Sequence, residues 1–237
     1  MIAIPCQRCE GTDLVRNGHT KAGHQKYFCK TCRFYGTLSD HAEKEAEKHA
    51  TVEKLHLERV SQRAIARITG VSRPTIAALL KKKAQTIPPL AQTITPSKEK
   101  PILELDEIWS YVGSKAQRVW IWLALERNTR KIVGIAFGDR SETACERLWN
   151  SLPADYRKRA VCYSDRLASY AAVFPRKRYF SVGKETGETA HIERFNNTLR
   201  QRCANLVRKT LSFSKNLLLH QIRIRIFIDH YNRTVSV

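Results

Sequence analysis

The sequence predicts an α/β protein in which a mixed sheet flanked by helices follows a small metal-held ribbon and a helix-turn-helix pair. Three observations predict it. Three apolar strand segments follow one another across residues 102–137, separated by short connections. Beyond them helix and strand alternate, which supplies helices to cover both faces of a sheet. At the other end, two Cys-x-x-Cys pairs sit in a stretch with few large apolar side chains.

The 237 residues suffice for one sizeable core and a smaller module. Lys and Arg total 42 against 22 Asp and Glu, a net charge of +20 that points to a polyanionic partner. Nucleic acid and an acidic membrane surface both qualify. The membrane is disfavoured because no apolar run approaches about 18 residues and no basic amphipathic helix carries a Trp-rich face. The start MIAIPCQRCE lacks the charged opening and long apolar core of a signal peptide, which places the chain in the cytoplasm. Thiols there stay reduced, so paired cysteines argue for metal.

Residues 1–40 are expected to form a zinc ribbon. Cys6 and Cys9 make one pair and Cys29 and Cys32 the other, with nineteen residues between, a spacing suited to a tetrahedral Zn²⁺ site. So short a segment cannot hold a fold by burial alone. The alternative is two disulfides. His19 and His24 lie between the pairs and are expected to face solvent. Arg8, Arg16, Lys21, Lys26, Lys30 and Arg33 make the ribbon basic enough to touch phosphate.

Residues 41–84 open with a charged run in which Lys44/Glu47 and Glu45/Lys48 suit an exposed helix. A helix-turn-helix follows over 57–83. Ile65 and Ile68 supply its apolar face, Gly70 interrupts it, Val71 packs in the turn, and Ser72 caps a second helix that tolerates Pro74 in its first turn. Arg73 and Thr75 then stand where such a helix meets base edges, and Lys81, Lys82 and Lys83 suit phosphates. The alternative is a hairpin used only for packing. Residues 85–101 hold four prolines with little patterning and are expected to be a linker.

The domain over 102–237 opens with ILELDEIWSYVG. Alternation puts Leu103, Leu105, Trp109 and Tyr111 on one face and Asp106 on the other with Ile102, Ile108 and Val112. A carboxylate inside a buried strand needs a cation or metal, unless it marks an exposed strand end. Arg118–Leu125 and Lys131–Phe137 complete an antiparallel meander; a helix at 141–151, a strand at 160–163, a short helix, a strand near 178–182 and a long helix through HIERFNNTLRQR follow. That order is the ribonuclease-H-like one, with first and fourth strands adjacent and parallel. Asp106 and Asp165 would then converge, and Glu193 can reach them from the long helix. Three converging carboxylates suit Mg²⁺ or Mn²⁺, and two such ions suit phosphodiester chemistry.

Glu193, Asn197 and Arg200 share a helix face, with Arg200 placed to neutralise substrate phosphate. Glu107 points away from Asp106 and is the rival ligand. Asp139 is read as a turn residue and Glu185 and Glu188 as solvated, while His191 is left between capping, phosphate contact and ligation. Cys145, Cys162 and Cys203 are expected core thiols. IRIRIFI alternates as a strand would, yet a helix is drawn after Leu217.

The runs DEIWSYVGSKAQRVWIWLALERNTRKIVG, YSDRLASY and HIERFNNTLRQR, together with the ribbon and helix-turn-helix, resemble a transposase of the insertion-sequence-1 family over nearly the whole chain. The resemblance implies a catalytic triad of Asp106, Asp165 and Glu193, with Arg200 in the basic position. It further implies binding of terminal inverted repeats in double-stranded DNA, cleavage, 3′-end transfer into target DNA, and action as a homo-oligomer. The rival readings are a non-catalytic DNA-binding repressor of the element and a ribonuclease-H-like nuclease that cuts without joining.

Overall fold

A computed structural model describes residues 4–94, 99–207 and 212–235, with 39–43 described by backbone alone. The chain divides into two compact units, Met1–Lys54 and Leu55–Val237.

In the first unit, strands β1 (Leu14–His19) and β2 (Gln25–Cys29) form an antiparallel hairpin, and β3 (Tyr35–Gly36) adds to the other side of β2. Helix α1 spans Ser39–Leu57. Both Cys-x-x-Cys turns end on a residue in the left-handed region, Glu10 at φ 60° and Arg33 at φ 59°. Such a φ is uncommon for a residue with a Cβ. It is held locally, by Glu10 N–H donating to the Cys6 carbonyl at 2.7 Å and Arg33 N–H to that of Cys29 at 2.9 Å.

The second unit begins with α2 (Gln62–Thr69) and α3 (Arg73–Thr86). Ser61 and Ser72 cap them, each accepting from the third residue onward at 3.2 Å, and Gly70 turns the chain at φ 71°. Ile65, Val71, Ile76 and Leu80 are buried, but Ile68 is 61% exposed and leaves the expected apolar face. Helix α3 packs against α9 (Leu217–Thr234), so the helix pair shares a unit with the sheet. The stretch expected as a linker also packs where it is described. It holds α4 (Leu90–Thr93), and Ile94 enters the sheet's core beside a partly covered Leu90.

The sheet comprises β4 (Ile102–Val112), β5 (Ser114–Glu126), β6 (Ile132–Gly138), β7 (Val161–Ser164) and β8 (Tyr179–Ser181) in the order β6-β5-β4-β7-β8. The first three form the expected antiparallel meander, and β7 lies parallel to β4. Strand pairing resumes at Ser114, four residues before the expected Arg118, because Gly113 at φ 75° makes the turn. Buried Glu126 shapes the next turn by accepting from Thr129 N–H at 2.8 Å.

Leu103, Leu105, Trp122 and Ala124 pack under α5 (Glu142–Ser151), α6 (Ala154–Arg159) and α7 (Ala168–Val173) with Leu148, Tyr156 and Tyr170. The opposite face carries α8 (Ala190–Arg202) and α9. Helical spacing turns Ile192, Phe195 and Leu199 inward, and the Phe195 ring meets Tyr231 of α9 edge-on at 4.7 Å. The alternating IRIRIFI segment is helical, with Ile224, Ile226, Phe227 and Ile228 buried.

Helix α9 also holds the edge strand β6 by a side chain that imitates a strand partner. Asn232 Oδ1 accepts from Ile132 N–H and its Nδ2 donates to the Ile132 carbonyl, both at 2.8 Å. Asn232→Leu strips both bonds while retaining bulk, so it should lower unfolding free energy by about 1–3 kcal/mol. A urea midpoint unchanged from the parent would show that the clamp contributes nothing.

Candidate functional site

The acidic site is built on sheet register. Leu105 of β4 pairs with Ser164 of β7 in parallel, so the next residues on the two strands are Asp106 and Asp165. Asp106 lies opposite fully buried Leu123 on β5, and burial pushes its carboxyl up to about 7, reinforced by the carboxylates of Glu107 and Asp165. Two neutral donors hold it: Asn196 Nδ2 reaches Oδ2 at 2.6 Å, and the Glu107 backbone N–H reaches Oδ1 at 2.9 Å. Asp165 Oδ1 accepts from Leu167 N–H at 3.2 Å.

Helix α8 is fixed over this point by Glu104, two residues before Asp106 on the same face of β4. Its carboxylate is fully buried and accepts from the backbone N–H groups of His191 at 2.9 Å and Ile192 at 3.0 Å. These are first-turn donors with no partner inside the helix, and the helix dipole favours an anion there. His191 Nδ1 at 2.6 Å and Arg127 Nε at 2.8 Å complete the shell. Arg127 also pairs with Glu188 at 2.7 Å, so Glu188 is tied down rather than solvated. His191 thus bonds Glu104 through both its backbone N–H and its ring.

Glu193 stands in the first turn of α8, half-buried, with Thr189 Oγ1 donating to it at 3.2 Å. Asn196, one turn on, touches Asp106, whereas the Asn197 chosen from helical spacing is exposed. Sequence reasoning missed Asn196, for which the Asn-Asn doublet one turn after Glu193 was the available signal. Arg200 lies near the Trp109 carbonyl, Nη2 to O at 3.5 Å. Glu107, the rival ligand, faces the other layer, where Arg140 pairs with it and Tyr170 Oη donates to it at 3.0 Å.

The chemistry of the donor set fits a divalent cation. Glu104 and Glu107 each have an arginine, but among the described residues no arginine, lysine or histidine pairs with Asp106, Asp165 or Glu193. Uncompensated carboxylates in so basic a chain suit hard cations with oxygen ligands. The oxygens of all three acids do not come within 4.8 Å of one another, a closeness that only the four ribbon cysteines reach among the described residues. There Cys6 Sγ lies 3.6 Å from Cys32 Sγ and Cys9 Sγ 3.7 Å from Cys29 Sγ. Cys145, Cys162 and Cys203 are buried, and burial raises each thiol to about 12. They are inert core thiols. Arg73, Thr75, Lys81 and Lys82 are exposed and Lys83 is half-buried.

No helix among the described residues is long and apolar enough to cross a membrane. Residues 101–233 match the family model for the IS1 transposase, and residues 1–33 match that for the InsA N-terminal domain, a zinc ribbon. Among known relatives, the InsB protein of insertion element iso-IS1n from Shigella dysenteriae is 37% identical over 133 residues, covering 55% of this chain and 95% of that protein. The IS1 InsB protein of Shigella flexneri is 37% identical over 130 residues, or 54% of this chain and 95% of that one. For the IS1 4 InsB protein of Escherichia coli K12 the figures are 36% over 131 residues, 54% and 75%. A ribbon with a four-cysteine zinc site, followed by an acid-bearing mixed sheet, thus defines a protein of transposition. The chain belongs to the IS1 transposase family.

Two measurements probe these sites. Chelating zinc, or Cys29→Ser, should unfold the ribbon, seen as loss of amide protection in 4–38, while the melting of Leu55–Val237 stays in place; retained protection would remove zinc as the ribbon's support. For Asp106 the folded value near 7 lies above the ordinary 3.8. Without divalent cation the folded chain holds a proton that the unfolded chain has released. The stability this adds is full below the ordinary value and is lost as pH rises through about 7. Asp106→Asn should flatten that fall in chemical denaturation, and an unaltered slope would assign it to other groups.

Proposed function

We propose that this chain is a DNA transposase of the acidic-triad type, carrying out metal-dependent cleavage and 3′-end strand transfer on a ribonuclease-H-like sheet. The observation that carries the reading is the parallel register that makes Asp106 and Asp165 neighbours beneath the helix bearing Glu193. Asp106, Asp165 and Glu193 would hold Mg²⁺ or Mn²⁺, which when bound activates a water or 3′-hydroxyl and stabilises the leaving oxygen of a phosphodiester.

The chain's own residues supply position and charge. Asn196 keeps the Asp106 carboxylate aimed by bonding one oxygen, and Glu104 sets how far along β4 the helix sits. Arg200 neutralises substrate phosphate near the site. Recognition of the terminal inverted repeats falls to the helix-turn-helix, with Arg73 and Thr75 at the exposed start of α3 meeting base edges. Lys81, Lys82, Lys83 and Asn197 meet phosphates, and the basic ribbon adds contacts without sequence preference. Joining two element ends calls for more than one copy of the chain on DNA. The partner is double-stranded DNA and the setting the cytoplasm.

The test is an end-joining assay with an oligonucleotide bearing the element's end and a supercoiled target, in Mg²⁺ or Mn²⁺. Asp165→Ala should abolish strand transfer while end binding stays within a few fold. Equal loss of both would make the acid structural. Cut products that are never joined by the parent chain would favour a nuclease, and binding with neither product a repressor.

A further inference from the structure

Away from the acids, the ends of three helices meet at a pocket of about 290 Å³ lined by Arg63, Arg73, Lys215 and Arg223, with Gln62 and Asn216 among its polar groups. A water's share of volume is about 30 Å³, so there is room for a phosphate group. Among the described residues no acid lines the pocket. Helices α2, α3 and α9 each place first-turn or capping residues there, and none has an acid in its first turn. Their N-terminal dipoles add to the field of the four cations.

The least expected of these cations is Arg223. It comes from the alternating IRIRIFI segment of α9, and its Nε is, among the described residues, a buried donor with no partner. Burial lowers its pKa, with only the Cys203 thiol acting the other way. The nearby His56 and His220 are also depressed by burial, to about 4, and supply no countercharge. Glu58, an acid close in sequence to the pocket wall, is engaged by Arg202 at 2.6 Å. Gln62 adds a second buried donor, Nε2, without a partner. Buried donors left unpaired cost free energy that an anion accepting from them would recover.

We infer that this pocket seats a backbone phosphate of double-stranded DNA, clamped jointly by the helix pair and the start of α9. The inference rests on the proposed DNA-binding function and names a subsite of it. Position favours DNA over a free anion. Ser214 in the pocket wall bridges to Val112, and its carbonyl accepts from Gly113 N–H at 2.8 Å, so the pocket adjoins the far end of β4. Asp106 stands six residues back on that strand, roughly 20 Å at about 3.3 Å per residue. That span equals about six base-pair steps, so one duplex can engage both. Arg63 and Lys215 are exposed and reach the pocket from opposite partners, α2 and the chain leading into α9.

The test measures affinity of the full chain for a duplex of unrelated sequence as a function of salt. Arg63→Gln with Lys215→Gln should weaken binding about tenfold whatever the sequence and reduce the log–log salt slope by about 0.9, the value of one phosphate contact. Arg223→Met should do the same while its melting temperature in buffer matches or exceeds the parent's, since a half-buried cation with an unpartnered buried Nε has been replaced by an apolar chain. An unchanged slope in both variants, with the parent still binding, overturns the pocket and leaves the transposase reading intact. A parent chain that binds no duplex fails the functional reading itself. If inorganic phosphate raises the parent's melting temperature but not the variants', and the slope does not move, the pocket takes free phosphate and the DNA assignment falls.

Discussion

The buried carboxylate of Glu104 is the constraint on which the site depends. An unpaired ion at this depth would cost several kcal/mol, so its four donors are obligatory. Two of those donors are first-turn amides of α8, and the third and fourth are the His191 ring and the Arg127 guanidinium. The helix can therefore meet the sheet at one height only. From that height follow the Asn196–Asp106 bond and the place of Glu193 in the first turn. Burial of Ile192, Phe195 and Leu199 supplies the attraction between helix and sheet, but apolar contact is non-directional, and it is the charged bond that fixes register.

The three acids of β4 show how strand alternation separates roles. Glu104 and Asp106 share a face, and Glu107 takes the other. Glu107 is neutralised by Arg140 and bonded by Tyr170, which converts a buried charge into a strut between β4 and α7. Glu104 has Arg127. Asp106 has only neutral donors, and its carboxyl is raised by burial as a result. Two of the three acids thus have an arginine partner and the third has neutral donors alone among the described residues.

Much of this was legible in the sequence because the governing signals are local. Period-two alternation marked the meander, cysteine spacing marked the ribbon, and a polar residue inside an apolar strand marked Asp106. Parallel adjacency of the first and fourth strands follows from element order, which is how Asp165 could be paired with Asp106. What failed depended on partners far along the chain. Ile68 fits the helix period, yet it is 61% exposed. Glu188 lies in a Gly-containing loop, and only folding brings Arg127 to it across sixty-one positions. Asn196 was not singled out, because the Asp106 it bonds lies ninety positions back along the chain. Ile94 sits in a proline-rich stretch whose composition hides a single anchoring side chain.

Helix α9 explains why the helix pair is not a separate module. One side of it meets α3, Phe227 and Tyr231 meet Phe195 of α8, and Asn232 grips β6. A helix that touches α3, the acid-bearing helix and the sheet edge at once links their positions through packed side chains, which deform little under load. The alternating isoleucines that imitate a strand in the sequence are what allow this: a helix buried against several neighbours needs apolar residues around more than one stripe. Of the arginines interleaved at 223 and 225, the first is half-buried and the second exposed. The ambiguity in the sequence and the structural role have the same cause.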